Sequence, residues 1–205
     1  MRKALIIQGG YEGHNPKETA AILSGQLEEN DFAVTIADSL DVLLEMSRLS
    51  EYDLIVPHWT MGIPPEGAVD NLISAVKSGC GLAGIHGGLG DAYRSETKFH
   101  HMTGGQFVAH PGDDGVTYTV DIHSHEITEG MTPFSVTTEL YYMHVDPANE
   151  VIATTETNGI SMPVSWVKRF GSGKIFYTSL GHSVEVVKQK EVLPFITKGM
   201  IWATR

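Results

Sequence analysis

Apolar residues follow two rhythms along this chain. Up to Gly88, compact apolar runs alternate with segments in which apolar positions recur every three or four residues. The runs at 3–8, 32–38 and 52–56 read as strands. Between the first two, Ala20, Leu23 and Leu27 share one helical face, and the helix has a start signal in Asn15 as cap, Pro16 at the first position and Glu18 to complete a capping box. A short helix follows around 40–46, and a second amphipathic helix opens at Pro64-Pro65-Glu66, with Val69, Leu72, Ile73 and Val76 as its apolar stripe. The fourth run, Gly81–Ile85, has no polar position, as expected of a strand buried on both faces. This succession predicts a parallel sheet with right-handed crossovers, covered by helices on both sides.

Beyond Gly88 the helical period fades. A short helix is expected at 96–103, then strands at 106–109, 116–122, 137–145 and 150–155, joined by short turns. A hairpin of 163–170 and 174–180 returns the chain to the core, and helical segments from Val184 and over 192–203 close it. Residues 1–205 therefore read as one α/β domain, a parallel sheet with an antiparallel β extension.

Composition narrows the partners. A formal net charge of -11 with 14 basic residues argues against nucleic acid, which demands a concentrated positive surface. No apolar run approaches the roughly 20 residues of a membrane span, and the apolar start at 4–7 is too short for a signal peptide. A single cysteine, Cys80, excludes an internal disulfide and a thiolate-rich metal site, which fits a cytoplasmic setting. Ten histidines against that one cysteine are the unusual feature. The expected partner is a small molecule, and a homo-oligomer is neither required nor excluded.

The histidines sit at informative places. His14, His58, His86 and His182 each follow a predicted strand, and parallel strands deliver their carboxyl ends to one rim, where open α/β sheets bind ligands. Gly84-x-His86-x-Gly88 has the spacing of a nucleophile elbow, a turn expected to expose the His86 ring; a glycine-rich junction with an incidental histidine reads equally well. Trp59, Tyr141 and Tyr142 offer flat faces for a sugar ring, or core aromatics. Glu139, in a strand-like run, is either solvent-facing or a partner for a rim imidazole. His123 and His125 have a spacing seen in metal sites, but strand-end polar residues are the simpler reading. Cys80 lies about 20 Å from His86 along an extended strand, so it is not a nucleophile for this rim.

Several motifs fall together: Gly9-Gly10 with His14-Asn15; Gly84-Ile85-His86; Gly104-Gly105 with Phe107 and His110-Pro111; His125 with Ile127-Thr128 and Gly130; Glu139-Leu140-Tyr141; and the run from Phe176 to His182. In this order they resemble the ThuA-like (trehalose-utilisation) family nearly end to end. One departure is Glu126, which follows His125 where the family often has proline. The resemblance implies a flavodoxin-like fold similar to class I glutamine amidotransferases. It implies that His86 occupies the nucleophile-elbow position and that His182 lies where those enzymes keep their catalytic histidine. With an imidazole at the elbow and no thiolate nearby, amidotransferase chemistry is missing.

The family link points to trehalose, related disaccharides and their oxidised keto forms. The expected chemistry is carbohydrate processing by proton abstraction and elimination, or by hydrolysis. His86 or His182 would serve as base and Glu139 would orient a ring, with His14, His58, Trp59, His110 and Tyr141 binding substrate. A non-catalytic sugar-binding or regulatory module is the alternative. A third reading gives His14, His86 and His182 a divalent ion, zinc first.

Overall fold

A computed structural model describes all residues, 1–205. The chain runs β1 (Arg2–Gly10), α1 (Pro16–Glu28), β2 (Phe32–Ala37), α2 (Met46–Leu49), β3 (Leu54–Thr60), α3 (Ala68–Lys77), β4 (Gly81–Ile85), α4 (His86–Gly90) and α5 (Thr97–Thr103). It continues with β5 (Gly105–Ala109), β6 (Val116–Ile122), β7 (Phe134–Thr138), β8 (Tyr142–Val145), β9 (Glu150–Thr157), β10 (Ile160–Phe170), β11 (Gly173–Thr178), α6 (Val184–Val187) and α7 (Val192–Ala203). Nine strands form one sheet in the order β2-β1-β3-β4-β11-β10-β9-β6-β7, while β5 and β8 pair separately.

The first five strands of that order are parallel and the rest join antiparallel, as the change of rhythm predicted. Apolar side chains from the two sheet faces form two buried clusters. One packs under α1 and α7, with Leu23, Phe195 and Met200, and the other under α3, with Leu72, Val76 and Trp166. β4 is buried along its whole length, which explains its small residues. A Cβ on Gly84 would lie 2.4 Å from the Leu89 Cβ, so the turn after β4 can fold back onto its own strand only over a glycine.

The helix expected around 40–46 is a 3-10 turn, Leu40–Leu44, followed by α2, and the sharp turn expected after β4 is the short helix α4. Three further departures have local reasons. β3 does not stop at Val56 but runs through Pro57 to Thr60, pairing with β1 along the way. β4 pairs only with Leu54 and Ile55, so beyond them one side of β3 carries no ladder and a residue without an N–H is tolerated. The Asn15 side chain makes no capping bond; its backbone is left-handed (φ 48°), because the turn Glu12–His14 already fixes the entry to α1. The run 137–145 is not one strand. It divides into β7 and β8, which lie in different sheets, and residues 139–141 are the crossing between them.

Candidate functional site

The carboxyl ends of the parallel strands meet the β7–β8 crossing above β4. β1 leads through Gly10 and the turn Glu12–His14 to a buried His14. β4 leads directly to His86, which opens the short α4 in the left-handed region (φ 47°). β11 ends before Ser179, and Leu180-Gly181 brings in His182. Asn15, Met61 and Tyr93 beside the same cleft also have positive φ. Such conformations cost on the order of 1–2 kcal/mol each in a non-glycine residue, and they persist where the surroundings impose them. Here Met61 N–H donates to the Asp91 carbonyl and Tyr93 N–H to the Met61 carbonyl, which locks the two loops together. Gly88 is a further requirement: a Cβ there would sit 2.7 Å from the His58 Cα, so the α4 turn can lie flat on β3 only without a side chain.

The His86 ring is not exposed at its turn, as the elbow pattern suggested, but 1% accessible. The reason is the crossing: Tyr141 stacks on it, with ring centroids 4.1 Å apart, and roofs it over. His86 Nδ1–H donates to the Ser179 carbonyl at 2.8 Å, and because a carbonyl can only accept, this fixes the tautomer. Nε2 then faces the Tyr141 hydroxyl at 2.8 Å, Glu139 Oε2 at 3.1 Å and His182 Nδ1 at 3.3 Å. Glu139 Oε2 lies 3.4 Å from His182 Nδ1. His14 places Nδ1 at 2.9 Å from Thr60 Oγ1, and its ring centroid is 4.6 Å from that of His86 and 5.2 Å from that of His182.

Burial and charge act in opposite directions here. Burial pushes His14 down to about 3, helped by the neighbouring His86 and His182. Burial also lowers His86, against the pull of Glu139 and the Ser179 carbonyl. His182 is raised, chiefly by its hydrogen bond to Glu139, which exceeds the cost of burial. Burial alone would raise Glu139, but the hydrogen bonds and charges of His182 and His86 outweigh it and hold the carboxyl well below its ordinary range. The cluster is thus an anionic carboxylate among imidazoles that resist protonation, with His182 the one that accepts a proton most readily.

Above His14, Glu139 and Tyr141 opens a cavity of about 250 Å³. Its walls are Phe107 and His110 from the β5 side, whose rings stack 5.7 Å apart, and Asp91 with Arg94 after α4. The buried Asp91 holds Arg94 in a bidentate pair of 2.6 and 2.7 Å, which cancels the charge and fixes the guanidinium in the cavity wall. A larger depression of about 550 Å³ borders His123 and His125, but those rings serve the loop. His125 Nδ1 accepts from the Ile127 N–H to cap a helical turn, and His123 Nε2 lies against Thr154 Oγ1.

The candidate residues thus divide. His14, His86, His182 and Glu139 converge, and Tyr141 and His110 border the same cavity. His58 does not reach it: it is buried beneath the α4 turn with neither ring nitrogen partnered, and burial lowers it to about 4. Trp59 packs on Gly9 and Gly62 and is not part of the cavity lining. Phe107 enters the sequence reading only within the motif at 104–111, and Asp91, Arg94, Thr60 and Met61 have no place in it. Asp91 and Arg94 nevertheless follow the His86 turn at a spacing of three that suits a pair. Cys80 is buried at the start of β4, its thiol pushed up to about 12 by burial, and plays no part here.

The trehalose-utilisation family model, ThuA, matches residues 3–203. No curated protein matches the sequence. Among solved structures, a ThuA-like protein from Bacteroides uniformis superposes with a TM-score of 0.83 at 17% identity, covering 98% of this chain and 91% of that one. A cytoplasmic protein from Salmonella typhimurium LT2 gives 0.76 at 15% identity, covering 99% and 100%. A beta-galactosidase from Bacillus circulans gives 0.67 at 13%, covering 98% of this chain but 30% of the enzyme. At these identities the likeness concerns the fold. No helix is long and apolar enough to cross a membrane.

Proposed function

Because the chain belongs to the ThuA, or trehalose-utilisation, family, we propose that its site processes a carbohydrate, specifically a glycoside oxidised to a ketone. The observation that carries this reading is the convergence of one carboxylate and three imidazoles, their ligand atoms within 4.8 Å of one another, with His14 and Glu139 of that set lining a cavity that holds no thiol. Such a set suits proton transfer rather than nucleophilic attack.

The C–H beside a sugar ketone is acidic, since the carbanion left behind delocalises onto the carbonyl oxygen. His182, supported by Glu139 as an imidazolium would require, takes that proton. The Tyr141 hydroxyl, beside His86 Nε2, donates to the developing oxyanion. The C–H pair then forms the new carbon–carbon double bond, the glycosidic C–O bond breaks, and the departing oxygen takes up a proton. Arg94, neutralised by Asp91, offers N–H donors to hydroxyl groups, and Phe107 offers a ring face. The same cleft could bind a sugar without turning it over, and one experiment separates the two. Incubation with a 3-keto-disaccharide in heavy water should release the second sugar and exchange the proton next to the ketone. Saturable binding with neither release nor exchange would leave a binding module.

A further inference from the structure

The cluster contains a contact that its own hydrogen bonds do not explain. His86 has committed its Nδ1 proton to Ser179, so in the neutral ring Nε2 carries a lone pair. That lone pair lies 3.1 Å from a carboxylate oxygen, and the second histidine nitrogen lies 3.3 and 3.4 Å from the same two atoms. Three electron-rich atoms at the corners of a nearly regular triangle repel one another unless something positive sits among them. A proton on His182 satisfies its edge with Glu139, and the Tyr141 hydroxyl, 2.8 Å from His86 Nε2, can donate to that nitrogen. The shortest edge, His86 Nε2 to Glu139 Oε2 at 3.1 Å, still has no proton of its own.

A metal ion satisfies all three. With bonds of about 2.0–2.1 Å, tetrahedral geometry separates neighbouring ligand atoms by about 3.3–3.4 Å, and octahedral geometry by about 3 Å. The observed edges fall in that interval. His14 is the fourth donor: its Nδ1 is engaged by Thr60, its other nitrogen is free, and its ligand atom lies within 4.8 Å of the rest. Ser179 on His86 and Thr60 on His14 are the outer partners that fix the orientation of a metal-binding imidazole. Three nitrogens and one oxygen suit a divalent transition metal and suit magnesium or calcium poorly.

We propose that His14, His86, Glu139 and His182 bind one divalent transition-metal ion beside the cavity that His14 and Glu139 line. The proposal stands on donor geometry and does not depend on the sugar reading. A bound ion would supply Lewis acidity to a substrate oxygen.

The test uses the full chain, stripped with a chelator, exchanged into buffer and titrated separately with zinc, cobalt, manganese and magnesium, with metal content measured after dialysis. One equivalent of zinc, cobalt or manganese is expected, none of magnesium, and a visible absorption band from tetrahedral or five-coordinate cobalt. Glu139→Gln and His182→Gln, each checked by circular dichroism for the native fold, should each weaken binding by more than about 10–100-fold, the cost of losing an outer-shell partner alone. A folded parent that retains no transition metal would overturn the proposal, as would stoichiometric binding unchanged in both variants. Binding is read without sugar, so a metal-replete protein inert toward keto-disaccharides would leave the ion in place and sink the sugar reading alone. Turnover that survives complete removal of metal would do the reverse for catalysis through an ion.

Discussion

The two halves of the sheet contribute to the site in different ways. From the parallel half, β1, β4 and β11 each deliver one histidine from a strand end, so the imidazoles follow from the topology. The antiparallel half and the β5–β8 ribbon deliver the carboxylate, the phenol and the Phe107–His110 wall from a crossing and an edge. The parallel half therefore supplies the imidazoles of the cluster and the Asp91–Arg94 pair, while the antiparallel half and the ribbon supply the carboxylate of the cluster and the aromatic wall.

The strongest test of this division is to remove the single anion that the antiparallel half supplies. Glu139→Gln should lower keto-sugar turnover by about 10²–10⁴-fold, the range for loss of one acid–base group. His182→Asn should cost a similar factor, and the double variant little more than either, since residues acting as one unit are not additive. Losses that multiply in the double variant would mean that the two halves act independently.

The next effect belongs to the parallel half alone and concerns stability. His58 has no partner and a folded-state pKa of about 4, against an ordinary 6.5. Its folded form resists a proton that the unfolded chain accepts, so stability falls as pH drops from 6.5 towards 4 and levels off below. The full loss is about 3 kcal/mol by linkage. His14 adds a loss of the same sign, extending to about 3. His58→Leu should flatten the acid limb of a urea-denaturation pH series and leave stability at pH 7 equal or higher. An unchanged acid limb would show that His58 is not the source.

Gly88→Ala tests the close approach of the two layers beneath the site. Its Cβ would meet His58 backbone at 2.7 Å, and overpacking of this kind typically costs about 1–3 kcal/mol, readable as a lowered melting temperature. The smallest expected effect is at the substrate wall: Arg94→Lys, which cannot reproduce the bidentate hold on Asp91, should raise KM several-fold with kcat nearly unchanged. A fall in kcat instead would move Arg94 into the reaction itself.

The parallel half was readable because its rules are local. Apolar runs, helix spacing and strand-end placement fix β1, β4 and β11, and with them His14, His86 and His182. The other half was less so, because a continuous β-like composition over 137–145 conceals a change of sheet at Glu139–Tyr141. No residue there signals a break; it is imposed by the two sheets that claim its ends. The burial of His86 was hidden for the same reason, since its cover comes from Tyr141. His58 misled in the opposite sense: β3 runs past it, so a position that looks like a strand end lies under the α4 turn.

β11 lies between β4 and β10, and so joins the two halves late in the chain. Until it arrives, β4 has an open edge and His86 lacks the Ser179 carbonyl, 93 residues downstream, that sets its tautomer. A chain emerging from the ribosome can therefore build four of the five parallel strands early and still hold no cluster. Pairings this distant in sequence form slowly, because a long loop must close before any contact rewards it. The polar cluster, three imidazoles and a carboxylate, is therefore complete only once the last strand and His182 beyond it are in place.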